Sequence, residues 1–174
     1  MKKILLSFVV ALATISCTQA QKTQFTPEAL SSVLINTDKS ETTFQQVIDA
    51  NKGKIVVMDV WASWCKDCIK GMPKFKALQE EFPDVIYVYL SMDKEWKSWI
   101  VGAEQHQLKG QHFWAQDGMK GVLGQSIDLD WIPRYMVIDQ EGNIALYKAI
   151  EADDAKISET IKQLQKKKGT KSRR

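Results

Sequence analysis

Apolar positions along this chain follow two spacings. Val56-Val57-Met58, then Val60-Trp61-Ala62, form a run broken only by Asp59, which predicts a strand buried on both faces. Directly behind it, Ile69, Met72, Phe75, Leu78 and Phe82 recur every three or four residues among lysines and glutamates, the stripe of an amphipathic helix. A strand therefore feeds a helix, and Pro73 inside that helix is expected to kink it by removing one backbone hydrogen bond. The same spacings predict a short strand over 32–36 and a helix over 41–51, with Phe44, Val47 and Ile48 on one face and a stop near Gly53. A second buried strand follows over 85–91. Residues 93–108, with Trp96, Trp99, Ile100 and Ala103 on one side, read as a helix, 112–114 as a short strand and 118–123 as a short helix. Segments 135–139 and 144–149 flank Gln140-Glu141-Gly142-Asn143 and predict an antiparallel hairpin. Residues 153–166 carry Ile157, Ile161 and Leu164 and close the chain as a helix with an acidic start and a basic end, as the helix dipole favours.

The N-terminus has a different character. Met1-Lys2-Lys3 precedes an almost unbroken apolar run from Ile4 to Ile15, followed by small residues, which reads as a secretory signal over 1–20. The run is short for a membrane span, which needs about 20 residues. Two processing routes fit: cleavage before Gln21, or lipidation of Cys17 behind Ile15-Ser16. Lipidation is favoured because a cysteine at the end of such a run is otherwise uncommon, although Thr14 stands where a leucine is usual. Polar residues 21–32 read as a linker, 33–166 as one domain, and 167–174 as a basic disordered tail. A chain of 174 residues, 44% apolar, suits that single domain. Net charge is +3, yet residues 21–165 hold 16 basic against 21 acidic side chains, so the domain itself carries −5. The positive charge sits at the two ends, which argues against a nucleic-acid partner for the domain.

Of the three cysteines, only Cys65 and Cys68 belong to the domain, so no structural disulfide framework exists. Their two-residue spacing places them where the helix begins. Unpaired N–H groups and about half a positive charge at a helix start favour a thiolate, the nucleophilic form of cysteine, which elsewhere needs a pH near 8.5. Cys65, nearer the loop, is the candidate attacker, and Cys68, one turn in, the candidate resolving thiol. Asp59 precedes Cys65 by six residues inside the apolar strand. A carboxyl buried there has a raised pKa and can exchange a proton with Cys68.

The segment Asp59-Val60-Trp61-Ala62-Ser63-Trp64-Cys65-Lys66-Asp67-Cys68, with Pro73 behind it, resembles the active-site segment of the thioredoxin superfamily, and most of all the TlpA/ResA-like thiol-disulfide oxidoreductases of the bacterial envelope. Trp131-Ile132-Pro133 before an apolar strand matches a second family motif, and the resemblance extends over about Val33 to Lys166. It implies a thioredoxin-like α/β fold: a mixed, mostly parallel central sheet, helices on both faces and an antiparallel edge hairpin. It also implies a cis Ile132–Pro133 bond lying against the cysteines, with Trp64, Ile132 and Pro133 forming the substrate-docking surface and Trp61 packed in the core. The implied function is that of an exported protein-disulfide reductase, using no cofactor, acting on periplasmic protein thiols and disulfides and recharged by a thiol donor at the membrane. The chain departs from some ResA-like proteins in having Gly71 where they place a glutamate, so that residue's role does not carry over.

Other chemistries fit less well. Spacing from Cys68 to His106 and His112 is far longer than zinc-finger spacing. No Gly-rich phosphate loop is present, Asp59, Glu80 and Glu81 make no paired-carboxylate site, and the proline and threonine of a peroxidatic loop are missing. Lys66 and Asp67 between the cysteines oppose each other electrostatically and leave the redox direction open. A metal-binding or docking module, or an oxidase or isomerase, would use the same cysteines.

Overall fold

A computed structural model describes residues 22–171. The signal segment with Cys17 and the last three residues of the chain lie outside the described residues. At the centre stands β3 (Val56–Trp61), all six residues buried. It pairs in parallel with β4 (Ile86–Ser91) and antiparallel with β6 (Arg134–Ile138). Being covered on both faces, it has no reason to alternate apolar and polar side chains, hence its continuous run. Outward from β4, the sheet continues through β5 (Gln111–Trp114), parallel, then β1 (Val33–Ile35) and β2 (Glu41–Thr43), both antiparallel. Beyond β6, β7 (Ile144–Ala149) completes the edge hairpin. The seven strands lie in the order β2-β1-β5-β4-β3-β6-β7. The sheet is mixed, as expected, but only the β3–β4 and β4–β5 pairings are parallel, fewer than the strand–helix alternation suggests.

Two helical layers cover it. Phe75 of α3 (Lys66–Glu81) packs on Tyr87, Tyr89 and Tyr135. His112 stacks on Tyr89, and Trp114, two residues along β5 and on the same face, meets Trp99 of α4 (Trp96–Gln105). Lys162 of α6 (Ala155–Lys171) pairs with Glu81 and lies over Phe82, so α3, α4 and α6 share this face. Gln111 points the other way and exchanges side-chain hydrogen bonds of 2.9 Å with Asn51, at the end of α2 (Phe44–Ala50). There α2 and α5 (Val122–Ser126) adjoin α1 (Pro27–Leu30).

Four boundaries differ from expectation. The helix expected over 41–51 loses its first three residues to β2, because Thr43 and Gln46 form a capping box: each side chain accepts the other's backbone N–H, and the helix starts at Phe44. The segment expected as a linker is packed: Phe25 meets Phe44 edge-on at 4.8 Å, Ala29 is fully buried, and the Thr23 carbonyl accepts the Ile144 N–H. The helix expected over 93–108 spans only Trp96–Gln105, and it starts late because the Asp93 carboxylate is bonded to Ser63 and Ser91. At the C-terminus α6 runs to Lys171, into the stretch expected to be a disordered tail, and starts at Ala155, where the Asp154 carboxylate accepts the Lys156 N–H. Pro73 lies inside a continuous α3.

Candidate active site

At the C-terminal end of β3 the chain turns through Ala62, Ser63 and Trp64 into α3. Cys65 is the N-cap of that helix, and its sulfur accepts the Cys68 N–H at 3.1 Å, a role usually taken by a serine or aspartate oxygen. The two cysteines are joined as a disulfide, their Cα atoms 5.2 Å apart. Cys68, in the first turn, is enclosed, whereas Cys65 borders a surface groove. The turn before Cys65 is fixed from behind. Asp93, buried after β4, accepts hydrogen bonds from the Ser63 N–H at 3.0 Å, the Ser63 hydroxyl at 2.6 Å and the Ser91 hydroxyl at 2.8 Å. Gly102 of α4 lies so close that a Cβ there would stand 2.6 Å from the Ser63 Cβ.

A second loop, between α5 and β6, reaches the disulfide from the opposite side. Its Ile132–Pro133 bond is cis, and the Ile132 carbonyl oxygen lies 3.6 Å from Cys65 Sγ. Arg134, the next residue and wholly buried, braces this loop: its guanidinium donates to the Ile127 and Asp128 carbonyls and to the Asp130 carboxylate. Between the two loops lies a groove of about 400 Å³ with Cys65, Ile132 and Met119 in its walls. Trp64, 57% exposed, and Trp131, 62% exposed, flank it. Two large indoles left in water on either side of a buried sulfur make an apolar surface fit to hold a polypeptide.

Asp59 lies beneath α3. Its strand neighbours across the sheet are Tyr89 and Tyr135, two of the three rings on which Phe75 packs, and Cys68 stands on the same stripe of α3 two turns before Phe75. Asp59 is 2% exposed and its Oδ1 has no hydrogen-bond partner. Burial pushes its pKa from 3.8 up to about 8. Burial first, then the Asp59 charge, pushes the Tyr89 and Tyr135 phenols up as well, so both stay protonated. At the position without the glutamate, a Cβ on Gly71 would stand 2.9 Å from the Tyr135 hydroxyl, so the phenol fills the space that a longer side chain would need.

The sequence model described as thioredoxin-like matches residues 53–144, more than half of the chain. The chain belongs to the thioredoxin-like family. A chloroplastic F-type thioredoxin of Brassica napus is 37% identical over 59 residues, 34% of this chain and 32% of its own length. A thioredoxin of the sponge Geodia cydonium is 36% identical over 61 residues, 35% of this chain and 58% of its own. The chain thus spans about a third to somewhat over half of these thioredoxins. Among solved structures, a candidate thiol-disulfide oxidoreductase of Bacteroides vulgatus is 28% identical, with a TM-score of 0.66 over 80% of this chain and 90% of that one. A candidate thiol:disulfide interchange protein DsbE of Chlorobium tepidum shares the fold, at 18% identity and a TM-score of 0.65 over 82% and 96% of the two chains.

This thioredoxin-like domain brings Cys65, Cys68, Trp64, Ile132 and Pro133 to one end of the sheet and places Asp59 beneath them. Sequence reasoning missed Asp93, Arg134, Met119 and Trp131. Trp131 stood inside the quoted motif, and an indole beside a cis proline was a usable signal. Asp93 and Arg134 had none, because their importance lies in partners 30 residues away for Asp93 and in complete burial for Arg134. His112 is stacked on Tyr89 with Nε2 3.0 Å from the Leu108 carbonyl oxygen, away from the cysteines. Among the described residues no group of three or more His, Cys, Asp or Glu side chains is arranged to hold a metal ion.

Proposed function

We propose that this protein is an exported thiol:disulfide oxidoreductase that reduces disulfides of partner proteins on the periplasmic side of the bacterial envelope. The observation that carries this reading is the placement of Cys65: the N-cap of α3, on the wall of an apolar groove, disulfide-bonded to an enclosed Cys68 and facing the Ile132 carbonyl. In the reduced protein the Cys65 thiolate, favoured by the helix start, attacks one sulfur of a partner disulfide. A Cys65–partner disulfide forms and one partner thiolate leaves. Cys68 then loses its proton to the ionised fraction of Asp59, which a pKa of about 8 leaves as a minority at neutral pH, and attacks Cys65 Sγ. The Cys65–Cys68 bond forms, the Cys65–partner bond breaks, and the second partner thiolate departs. Two electrons pass to the partner, and a thiol donor must reduce the protein again.

Trp64 and Trp131 hold the partner's apolar side chains, and the Ile132 backbone faces the partner strand. Export rests on the basic start and apolar run of residues 1–20, with Cys17 as the lipid anchor. The test is trapping. Cys68→Ser cannot resolve the intermediate and is expected to accumulate partners as mixed disulfides that dithiothreitol releases, whereas Cys65→Ser captures none and has no exchange activity. Absence of any thiol-releasable adduct with Cys68→Ser would overturn the reading.

A further inference from the structure

The groove at Cys65 does not end beside the disulfide. Met119 and Asp130 line it, and the same two residues line a larger depression of about 930 Å³ that continues over the loop between α5 and β6 and along β7. The further walls of this depression carry Lys22, Lys120, Asp128, Tyr147, Lys148 and Lys156. Both carboxylates are already engaged. Asp128 holds the Lys22 ammonium at 2.8 Å and accepts the Tyr147 hydroxyl at 2.6 Å. Asp130 holds Lys148 and the buried guanidinium of Arg134. The Lys22 and Tyr147 hydrogen bonds hold Asp128 below the usual carboxylate range, and Asp130 is held there against the upward push of burial by its own backbone N–H and then by Lys148 and Arg134, so both are ionised. Lys120 and Lys156 are exposed, and neither has a carboxylate partner among the described residues. Four lysines line the depression against two aspartates, on a domain whose residues 21–165 carry −5. Positive charge thus lines a depression that opens into the redox groove over Met119.

We propose that this basin is a docking site for an acidic segment of the partner polypeptide, lying a few residues from the cysteine that Cys65 attacks. The inference rests on the exchange reading above and specifies its substrate class. The partner's disulfide enters between Trp64 and Trp131, the chain passes over Met119, and its Asp or Glu side chains meet Lys120 and Lys156. An extended strand suits the geometry, because groove and basin form one continuous track and not a closed cavity. Complementary charge of this kind steers encounter and fixes the direction in which the partner lies, while the sulfur chemistry stays local to Cys65.

The test uses synthetic peptides, each with one cysteine linked as a disulfide to thionitrobenzoate, whose release is followed by absorbance. One set carries paired glutamates within a few residues of the cysteine, on either side in turn, and the matched set carries glutamines. With reduced protein at low salt, the best glutamate peptide is expected to react about tenfold faster than its glutamine match, and the ratio to fall toward one as salt screens the contact. A Lys120→Glu/Lys156→Glu double variant is expected to lose or invert that ratio, while Lys54→Glu/Lys97→Glu, which makes the same charge change outside the basin, keeps it. Equal rates for glutamate and glutamine peptides, or a preference that survives the Lys120/Lys156 reversal, overturn the docking site and leave the exchange reading standing. Release from neither peptide set removes the exchange reading and the docking site together.

Discussion

Replacing Asp59 by asparagine isolates what the buried carboxyl costs the fold. Asp59 is 2% exposed, its Oδ1 has no hydrogen-bond partner, and its pKa lies at about 8 against 3.8 for the ordinary side chain. The folded pKa is the raised one. Between about pH 4 and pH 8 the folded protein keeps a proton that the unfolded chain releases, so stability is full below about pH 4, falls with rising pH and levels off above about pH 8. At about 1.36 kcal/mol per pKa unit, the fall from pH 4 to pH 7 is roughly 4 kcal/mol, and relaxation and water entry bring it to roughly 2–4 kcal/mol. Asparagine keeps the shape and removes the titration. Its amide adds a cost of its own, since the site offers it no partner, but that cost does not change with pH. The informative quantity is therefore the pH dependence of the difference between the two proteins. Urea unfolding of the oxidised proteins, repeated from about pH 4 to pH 7, is expected to show the variant gaining on the wild type by roughly 2–4 kcal/mol across that range. A difference that stays flat within about 0.5 kcal/mol refutes the reasoning, because the carboxyl would then titrate alike in both states. The same variant is expected to resolve mixed disulfides more slowly, since no carboxylate receives the Cys68 proton.

Three further outcomes follow from the site's construction. Trp64→Ala with Trp131→Ala is expected to raise the KM for a protein disulfide by about five- to thirtyfold, from roughly 1–2 kcal/mol of lost apolar contact, with thermal stability almost unmoved because both rings are exposed. Gly102→Ala forces a methyl group to within 2.6 Å of the Ser63 Cβ and is expected to cost roughly 1–3 kcal/mol in urea unfolding, with slower exchange because the turn before Cys65 must move. Arg134→Met removes the guanidinium's hydrogen bonds to the Ile127 and Asp128 carbonyls and to Asp130, leaving the two carbonyls only the Tyr147 hydroxyl and the Asp130 N–H, which is expected to destabilise the protein by roughly 1–3 kcal/mol and to alter the amide NMR signals of the loop carrying Ile132.

How far the sequence disclosed this molecule depends on the range of the forces involved. β3 and α3 were legible because their determinants are local: an apolar run covered on both faces, then a stripe at helical spacing with a cysteine at its start. Cys65 and Cys68 were legible through a residue type with few other uses, and the cis Ile132–Pro133 bond only through the resemblance of Trp131-Ile132-Pro133 to a family motif. The capping box at Thr43 and Gln46 was also local, and weighing it would have separated β2 from α2. The burial of Phe25 and Ala29 is another matter, because a short polar-looking segment docks only when α2 and α5 offer it a surface. Asp93 and Arg134 illustrate the same limit at the site. A single aspartate or arginine in sequence is most simply a solvated charge, and only the closed fold turns each into the brace of a loop that meets the disulfide. The basin beside Met119 has side chains from residue 22 to residue 156 and no sequence pattern at all.

The reduction potential of the Cys65–Cys68 couple, measured by equilibrating the protein with a dithiol buffer of known composition, tests the central claim most directly. A donor of electrons to partner disulfides is expected to lie near thioredoxin's value, about −270 mV. A potential near −120 mV marks a strong oxidant and contradicts the proposed direction, and the lack of any reversible couple contradicts the exchange chemistry itself.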